Sequence, residues 1–187
     1  SVITNSYGNV VGSFFNAKIQ GHIEELLVSP LSEVSIVIGY LAGGIIRGLA
    51  VATVVTFIAL FFTQINIKHP LMTLFVITMT AGVFSLAGLI NAIFAKKFDD
   101  IAVIPSFVLA PLTYLGGVFY TVSLLPEFWQ TLSRINPILY MINSMRYSVI
   151  GISDVSIQNA LMMIVFFFIL LFTTAVILLK KGIGIRE

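Results

Sequence analysis

Cysteine is absent from this chain of 187 residues, and charged residues are scarce. Without cysteine the chain can form no disulfide framework, thiol nucleophile or Cys-ligated metal site. Charged residues make up 10% of the sequence, whereas soluble domains contain about one quarter. The net charge of +2 is also too small and too scattered to form a nucleic-acid-binding surface. These absences exclude an ordinary soluble domain and point towards a membrane protein.

Long apolar runs fill the sequence instead, and hydrophobic residues account for 58% of it. A helix of about 20 residues crosses the hydrocarbon layer, so residues 34–62, 70–95, 101–125 and 155–179 are each predicted to span a membrane. Residues 2–17 fit the inner end of a further span. We therefore predict an all-α membrane protein, a polytopic helical bundle that forms a single transmembrane domain over residues 1–187.

The region between the third and fourth spans is too polar for a lipid-facing crossing. Pro126-Glu127 begins one short helix, and Asn136-Pro137 supplies a second cap with proline in the first turn. The sequence therefore predicts a pair of re-entrant half-helices in the outer leaflet. Glu127 and Arg146 are predicted to be surface charges there, with a mutual ion pair as one option.

The basic residues predict the orientation, because cytoplasmic loops are enriched in lysine and arginine. Three basic residues fall on the side of the half-helices, namely Lys68, Arg134 and Arg146. The other side has six, namely Lys18, Lys96, Lys97, Lys180, Lys181 and Arg186. We therefore expect a multi-pass protein of the cytoplasmic (inner) membrane with its C-terminus in the cytosol.

The cytosolic segment 21–33 combines carboxylates with leucines between two spans. Its charges are Glu24, Glu25 and Glu33, and Leu26, Leu27 and Leu31 lie among them. This spacing is typical of a short amphipathic helix. Ser29 followed by Pro30 is predicted to be the N-cap and first turn of the next span. Two interpretations remain: a docking surface for another protein, or an ordinary solvated turn.

Two parts of the sequence resemble type-2 ABC transporter permeases. Residues 22–32 (HIEELLVSPLS) resemble the cytosolic coupling loop of that family. Residues 110–120 (APLTYLGGVFY), 125–129 (LPEFW) and 135–146 (INPILYMINSMR) are similar to its C-terminal signature. The order of the spans agrees as well. In that family a first span and a preceding cytosolic helix come before this point, so we expect the chain to represent an N-terminally truncated domain.

The resemblance implies the membrane subunit of an ATP-driven exporter for drug-, lipid- or glycan-like substrates. It also implies a second permease copy, as a homo- or heterodimer, and ATPase subunits as partners within membrane lipid. The sequence has no Gly-x-x-x-x-Gly-Lys-Ser/Thr motif. ATP is thus expected on a partner chain, and this chain is expected to be no enzyme and to bind no cofactor or metal.

Two other classes of protein fit the sequence less well. An ion-coupled secondary transporter would be expected to carry an acidic residue inside a span, but every acid lies in a link or tail. An intramembrane enzyme would need convergent catalytic groups. His22 and His69 are predicted on opposite faces of the membrane, and Asp99-Asp100 lies beside Lys96-Lys97 in a turn, where a solvated charge cluster is the plainer interpretation.

Three sets of residues are the candidate sites. The ATPase-coupling set consists of Glu24, Glu25, Leu26, Leu27 and Pro30. The translocation-path set consists of Arg47, Pro111, Gly116, Gly117, Phe119 and Tyr120. The helix-packing set is two overlapping Gly-x-x-x-Gly pairs, which suit close helix contact within the chain or at a dimer seam: Gly39, Gly43, Gly44 and Gly48.

Arg47 is the single charge within the run 34–62. Helical spacing places it on a strip with Tyr40, Gly43 and Gly44, so it is predicted to face protein or a water-filled path. A charge at the bilayer centre costs about 2.5–3.5 kcal/mol on insertion scales. It is interpreted as a contact for an anionic or polar substrate group, as a structural tie to backbone carbonyls, or as a side chain that extends towards the membrane surface (snorkelling).

Overall fold

The computed structural model describes residues 1–64, 67–118 and 126–184, without the side chains of Glu24, Leu27, Glu127 and Leu132. These residues form helices and turns with no strand, which confirms the all-α prediction. In chain order the helices are α1 (Val2–Ile19), α2 (His22–Val28), α3 (Glu33–Leu60), α4 (Pro70–Phe94), α5 (Phe98–Ile104), a π-helical turn (Pro105–Leu109), α6 (Ala110–Leu115), α7 (Glu127–Ile135), α8 (Pro137–Ile150) and α9 (Ile157–Lys181).

Four helical stretches in the described part of the chain are long and apolar enough to cross a membrane. They are Glu33–Leu60, Pro70–Phe94, Phe98–Leu115 and Ile157–Lys181. The four predicted spans are thereby confirmed as apolar helices. The third ends before the predicted limit at 125, because Gly117 adopts a positive φ of 77° just after Leu115 and the helix cannot continue through it.

The helix α4 lies at the centre of the bundle. Small and polar side chains let its neighbours approach closely, as at Gly88, where an added Cβ would come within 2.6 Å of the Tyr7 carbonyl oxygen. One turn further on, Asn91 Nδ2 donates to the Tyr7 hydroxyl at 2.6 Å. Apolar side chains of α1, such as the fully buried Phe14, fill the space around these contacts. This packing makes α1 and α4 the core pair.

One end of the bundle gathers the C-terminal ends of α1, α4 and α9, and we call it the lysine end. Lys18 Nζ donates to the carbonyl oxygens of Ile93 (2.7 Å) and Ala95 (2.9 Å). After α9, Gly184 lies against the backbone of Ile93. The ring of Phe15 contacts that of Phe98 edge to face at 5.1 Å. These contacts bring the lysines at the ends of α1 and α9 and in the α4–α5 link to one end of the bundle.

The opposite end is built from the start of α4, the end of α6, the α7–α8 pair and the start of α9. Backbone N–H groups of Lys68 and His69 donate to the carbonyl oxygens of Val149 and Ser148. Asn136 Nδ2 donates to the Leu112 carbonyl oxygen at 2.6 Å. These bonds hold α8 between α4 and α6. His22 and His69 accordingly lie at opposite ends of the bundle.

Of the two predicted N-caps at Asn136 and Ser29, the structure confirms the first and contradicts the second. Asn136 is the predicted cap of α8, and its Oδ1 accepts from Ile138 N at 3.0 Å. The prediction for Ser29 is wrong, because α3 begins at Glu33 with Ser32 as its N-cap, whose Oγ accepts from Ser35 N at 3.2 Å. Ser29 instead ends α2 and donates to the Leu26 carbonyl oxygen at 2.6 Å. Pro30 lies in the link between the two helices.

Candidate functional site

The segment 21–33 folds as a short separate helix at the lysine end. Gly21 allows the chain to turn out of α1, because its φ of 76° is a conformation that other residues rarely adopt. The helix α2 then places Ile23 in the core at 3% exposure, and Leu26 packs half-buried against the same core. Ile23 was not among the predicted coupling residues, although it stands three residues before Leu26 on the same helical face.

The other face of this segment is exposed and mixes apolar with acidic side chains. Val28 is 88% exposed and Leu31 53% exposed. Glu25 and Pro30 are exposed beside them. The side chains of Glu24 and Leu27 lie outside the described residues, so their roles stay predictions. This surface therefore offers apolar contact area next to carboxylates. The opposite face of the same helix is attached to the core through Ile23 and Leu26.

Hydrogen bonds next to α2 hold together the end of α1, the end of α4 and the turn into α5. Lys18, on the last turn of α1, holds the carbonyl oxygens at the end of α4, where a cation also complements the helix dipole. The carboxylate of Asp100 accepts from the backbone N–H groups of Lys96 and Lys97 at 2.8 and 2.9 Å, which fixes the turn from α4 into α5. The lysine end is therefore tied together by hydrogen bonds as well as by packing.

Arg47 points outward from this chain. The buried stripe of α3 passes through Val37, Leu41, Gly44 and Gly48. Arg47 lies about 90° around the helix from the middle of that stripe, at 100° per residue, and its side chain is exposed. Its predicted strip follows the edge of the packed face, where Tyr40 is half-buried and Gly43 is exposed. The contact of Arg47 with further protein or a water-filled path stays a prediction.

The two glycine pairs have different surroundings. A Cβ added at Gly44 would collide with Ser85 Oγ and come within 2.7 Å of Val10 Cγ2, and one at Gly48 would collide with Ser6 Oγ. Gly44 and Gly48 therefore allow α3 to approach α1 and α4. Gly39 has nothing within 4 Å of its Cβ position, and Gly43 meets only Asn9 Nδ2 at 3.7 Å. The Gly44/Gly48 pair is therefore packed against other helices of this chain, whereas the Gly39/Gly43 pair is open.

The predicted path residues on and after α6 have different surroundings. Pro111 is exposed in the first turn of α6, directly after the π-helical turn that Pro105 begins. Gly116 is buried, and its Cβ position is only 2.7 Å from Ile142 Cδ1. Gly117 supplies the turn that ends α6. Phe119 and Tyr120 lie outside the described residues. Arg47, on the outward face of α3, is not part of this cluster.

Sequence reasoning missed the main polar contact of the opposite end. Arg146 forms an ion pair with Asp154 at 2.9 Å and donates through its second nitrogen to the Gly117 carbonyl oxygen at 2.7 Å. It is therefore paired across the α8–α9 link. The side chain of Glu127 lies outside the described residues, so a pair with Arg146 stays a prediction. Asn143 Oδ1 accepts from Asp154 N at 2.9 Å and holds the same link. In the sequence this pair is visible only as a cation eight residues before an acid. The two residues are separated by the end of α8, so helical spacing does not bring them together.

A cavity of about 350 Å³ lies in the half of the bundle nearer the opposite end. Pocket volumes of about 300–1,000 Å³ are usual for small-molecule ligands. Among the path residues that the structure describes, Arg47, Pro111, Gly116 and Gly117 do not line it. Its walls are apolar with a few threonines and methionines, drawn from α1, α3, α4, the end of α6 and α8, and include Val55, Thr56, Thr80, Thr113, Met141 and Met145.

The fold and this geometry define a class: a polytopic helical membrane protein with a short amphipathic helix exposed at its lysine-rich end. Comparison with known proteins is more specific, because the family description "ABC-2 type transporter" matches residues 1–150. The chain belongs to the ABC-2 type transporter family, and the resemblance inferred from residues 22–32 and 110–146 is confirmed.

Two relatives illustrate the range of similarity. The chain is 56% identical over 155 residues to the inner membrane transport permease YadH of Escherichia coli (strain K12), which covers 83% of this chain and 60% of that protein. It is 25% identical over 146 residues to nodulation protein J of Sinorhizobium fredii (strain NBRC 101917 / NGR234), covering 78% of this chain and 56% of that protein. The chain thus spans little more than half the length of these relatives. No solved structure matches it.

Proposed function

We propose that this chain is part of the permease of an ATP-driven exporter of the inner membrane, and that an ATPase partner moves it by pushing on α2. The partner would bind and hydrolyse ATP, and this chain would perform no catalysis itself. A second permease copy would complete the pathway, as a homo- or heterodimer. Family membership and the similarity to a transport permease support this assignment.

The exposed rim of α2 is the observation that carries the coupling proposal. A docking helix needs apolar anchors surrounded by polar groups, and Val28, Leu31 and Glu25 provide both. It also needs a firm attachment to the spans that it moves. Ile23 is buried in the core, and Lys18 at the end of α1 is bonded to the end of α4. A push on α2 would therefore be transmitted to the α1–α4 pair.

The proposed orientation places the lysine end, and with it the C-terminus, in the cytosol. The excess of basic residues at this end favours that orientation. The coupling helix would then face the compartment that contains ATP. The opposite end, with α7 and α8, would face outward.

The substrate is proposed to be a drug-, lipid- or glycan-like molecule moved outward by alternating access. The apolar cavity of about 350 Å³ supports an amphipathic molecule over a small ion. Arg47, Pro111, Gly116, Gly117, Phe119 and Tyr120 stay proposed path residues. For Arg47, transport by Arg47→Ala at the wild-type rate and with normal expression would favour the structural role.

Charge reversal on the exposed rim of α2 tests the coupling proposal. The double variant Glu25→Arg with Val28→Asp is preferable to one at Leu26, because Leu26 packs on the core and its loss would also disturb folding. We expect this variant to insert into the membrane normally and to lose co-purification with the ATPase subunit. Transport-coupled ATPase activity in liposomes should fall with it.

The matched control is Asp99→Arg, which reverses one exposed acid at the same end of the bundle but outside α2. It should leave the ATPase bound, because it changes the charge at this end by more than the double variant does but leaves the surface of α2 intact. Normal co-purification of the α2 double variant would overturn the coupling proposal. Equal loss in the control would mean that charge at this end, and not the surface of α2, recruits the partner.

An ion-coupled carrier is the competing class. Such a carrier needs an ionisable acid within a span. The acids of this sequence lie in links, at helix starts or in the tail, with Glu33 at the first turn of α3 and Asp99 at the first turn of α5. No observation favours this class over the exporter.

A further inference from the structure

A groove of about 630 Å³ opens at the opposite end of the bundle, between the α7–α8 elbow and the first turns of α9. It is separate from the cavity described above, which lies among α1, α3, α4 and α8. Its lining divides into a polar rim (Arg134, Tyr140, Asp154, Ser156 and Asn159) and an apolar wall (Val155, Met162, Met163 and Phe166).

Along α9, the groove lining changes from polar at Asn159 to apolar at Met162, Met163 and Phe166. Asn159, Met162, Met163 and Phe166 are spaced three and four residues apart, so they share one face of the helix. From Asn159 to Phe166 this face extends about 10 Å at 1.5 Å per residue. The helix is long and apolar enough to cross a membrane, and Met162 and Phe166 are each more than half exposed. The groove therefore runs from a polar interface into the depth of the hydrocarbon.

The rim carries one uncompensated positive charge. Asp154 is neutralised by its ion pair with Arg146, whose side chain lies outside the groove lining. Arg134 is exposed, and its guanidinium contacts no acceptor among the residues that the structure describes. Its backbone is fixed, since the Tyr140 hydroxyl donates to the Arg134 carbonyl oxygen at 2.7 Å. A cation is thus held at the mouth of an otherwise neutral groove.

We propose that this groove binds an anionic phospholipid. The phosphate would contact Arg134, with Ser156 and Asn159 as neutral donors beside it, and an acyl chain would lie along Met162, Met163 and Phe166. The uncompensated cation favours an anionic over a neutral headgroup. The apolar face of about 10 Å favours a lipid over a soluble anion, which would leave that face without contacts. The proposal depends on neither the ATPase partner nor the direction of transport.

Native mass spectrometry of the purified chain in detergent, titrated with phosphatidylglycerol or phosphatidylcholine, tests the proposal. A cation near the membrane surface contributes about 1 kcal/mol to attraction of anionic lipid, so we expect about fivefold preference for phosphatidylglycerol. Arg134→Gln should abolish this preference and Arg134→Lys should retain most of it. Lys68→Gln is the matched control, because Lys68 is an exposed cation at the same end that does not line the groove.

Four results would overturn the proposal. Equal binding of the two lipids would exclude headgroup selection, and equal loss in Lys68→Gln would mean general electrostatic attraction. Displacement of the lipid by deacylated glycerophosphoglycerol at similar concentration would mean a soluble anion site. Lipid retained by monomers alone, and excluded from dimers in the same spectra, would mean that a second copy covers the groove. Circular dichroism of Arg134→Gln should show unchanged helix content, because Arg134 lies exposed in the last turn of α7.

Discussion

The helices α3 and α4 have 28 and 25 residues, and both are apolar enough to cross a membrane. In the most apolar stretch of each helix, 56% of α4 is buried but only 17% of α3. Their hydropathy does not separate them. The difference lies in the residues that α4 offers to each neighbour: Gly82 towards Phe168 of α9, Ser85 towards Gly44 of α3 and Gly88 towards Tyr7 of α1.

The comparison shows that hydropathy identifies a membrane helix while small residues identify its close contacts. α3 uses one such face, at Gly44 and Gly48, and leaves another open at Gly39. Arg47 is also exposed, near the middle of α3. A charge in that position is too costly for a lipid-facing surface. We therefore expect a further protein surface or a water-filled path next to this side of α3 in the complete transporter.

The largest expected effect comes from adding the same side chain to the two faces of α3. Gly44→Leu would force atoms into the space of Ser85 and Val10, so we expect the folded protein to be lost or its free energy of unfolding to fall by at least about 1–3 kcal/mol. Gly39→Leu should leave the folding of this chain unchanged. Detergent-solubilised yield and thermal unfolding measure both.

The same pair of variants also tests what covers the open face. If Gly39→Leu folds normally but reduces co-purification of two differently tagged copies, the open face is a dimer seam. If Gly44→Leu is as stable as the wild type, α3 does not pack on α4 as described, and the contrast between the two helices disappears.

Much of the fold could be predicted from the sequence because it depends on local signals. Apolar runs predicted the four membrane-length helices, and the Asn136-Pro137 pair predicted the start of α8. The short helix at residues 22–28 was also predicted, from its neighbouring leucines and carboxylates. Each of these signals is contained within one or a few helical turns, so no knowledge of tertiary contacts is needed.

The errors concern choices that tertiary contacts or competing caps decide. Ser29 and Ser32 are both good capping residues three positions apart, and the chain uses one to end α2 and the other to begin α3. For Arg47 the spacing left the exposure open, because its strip runs along the boundary between the buried and exposed faces: Gly44 is buried, Tyr40 is half-buried and Gly43 is exposed. Arg146 and Asp154 meet only because the α8–α9 link turns back at Gly151, whose φ is 86°.

A smaller effect is expected at the end of α4, where Lys18 can be compared with Lys180, an exposed lysine at the same end of the bundle. Lys18→Met removes two hydrogen bonds from a charged donor to the carbonyl oxygens of Ile93 and Ala95, and should cost about 1.5–3 kcal/mol of unfolding free energy. Lys180→Met removes the same charge from an exposed position at the same end of the bundle. Thermal unfolding in detergent should separate the two, and equal destabilisation would mean that net charge, not the bonds to α4, stabilises the lysine end.

The smallest effect concerns the start of α3, and it decides how α2 is attached to that helix. Ser32→Ala removes the acceptor for Ser35 N and should cost about 1 kcal/mol, so local opening should raise hydrogen exchange of the Ser35 amide about fivefold. Ser29→Ala leaves that bond intact and should instead loosen the end of α2, where Ser29 Oγ donates to the Leu26 carbonyl oxygen.

If Ser29→Ala accelerates exchange at Ser35 as much as Ser32→Ala does, the two helices open as one unit, and a force on α2 would act directly on α3. If each variant affects only its own helix, the link at Pro30 separates them, and the force must pass through Ile23 and Leu26 into the α1–α4 pair.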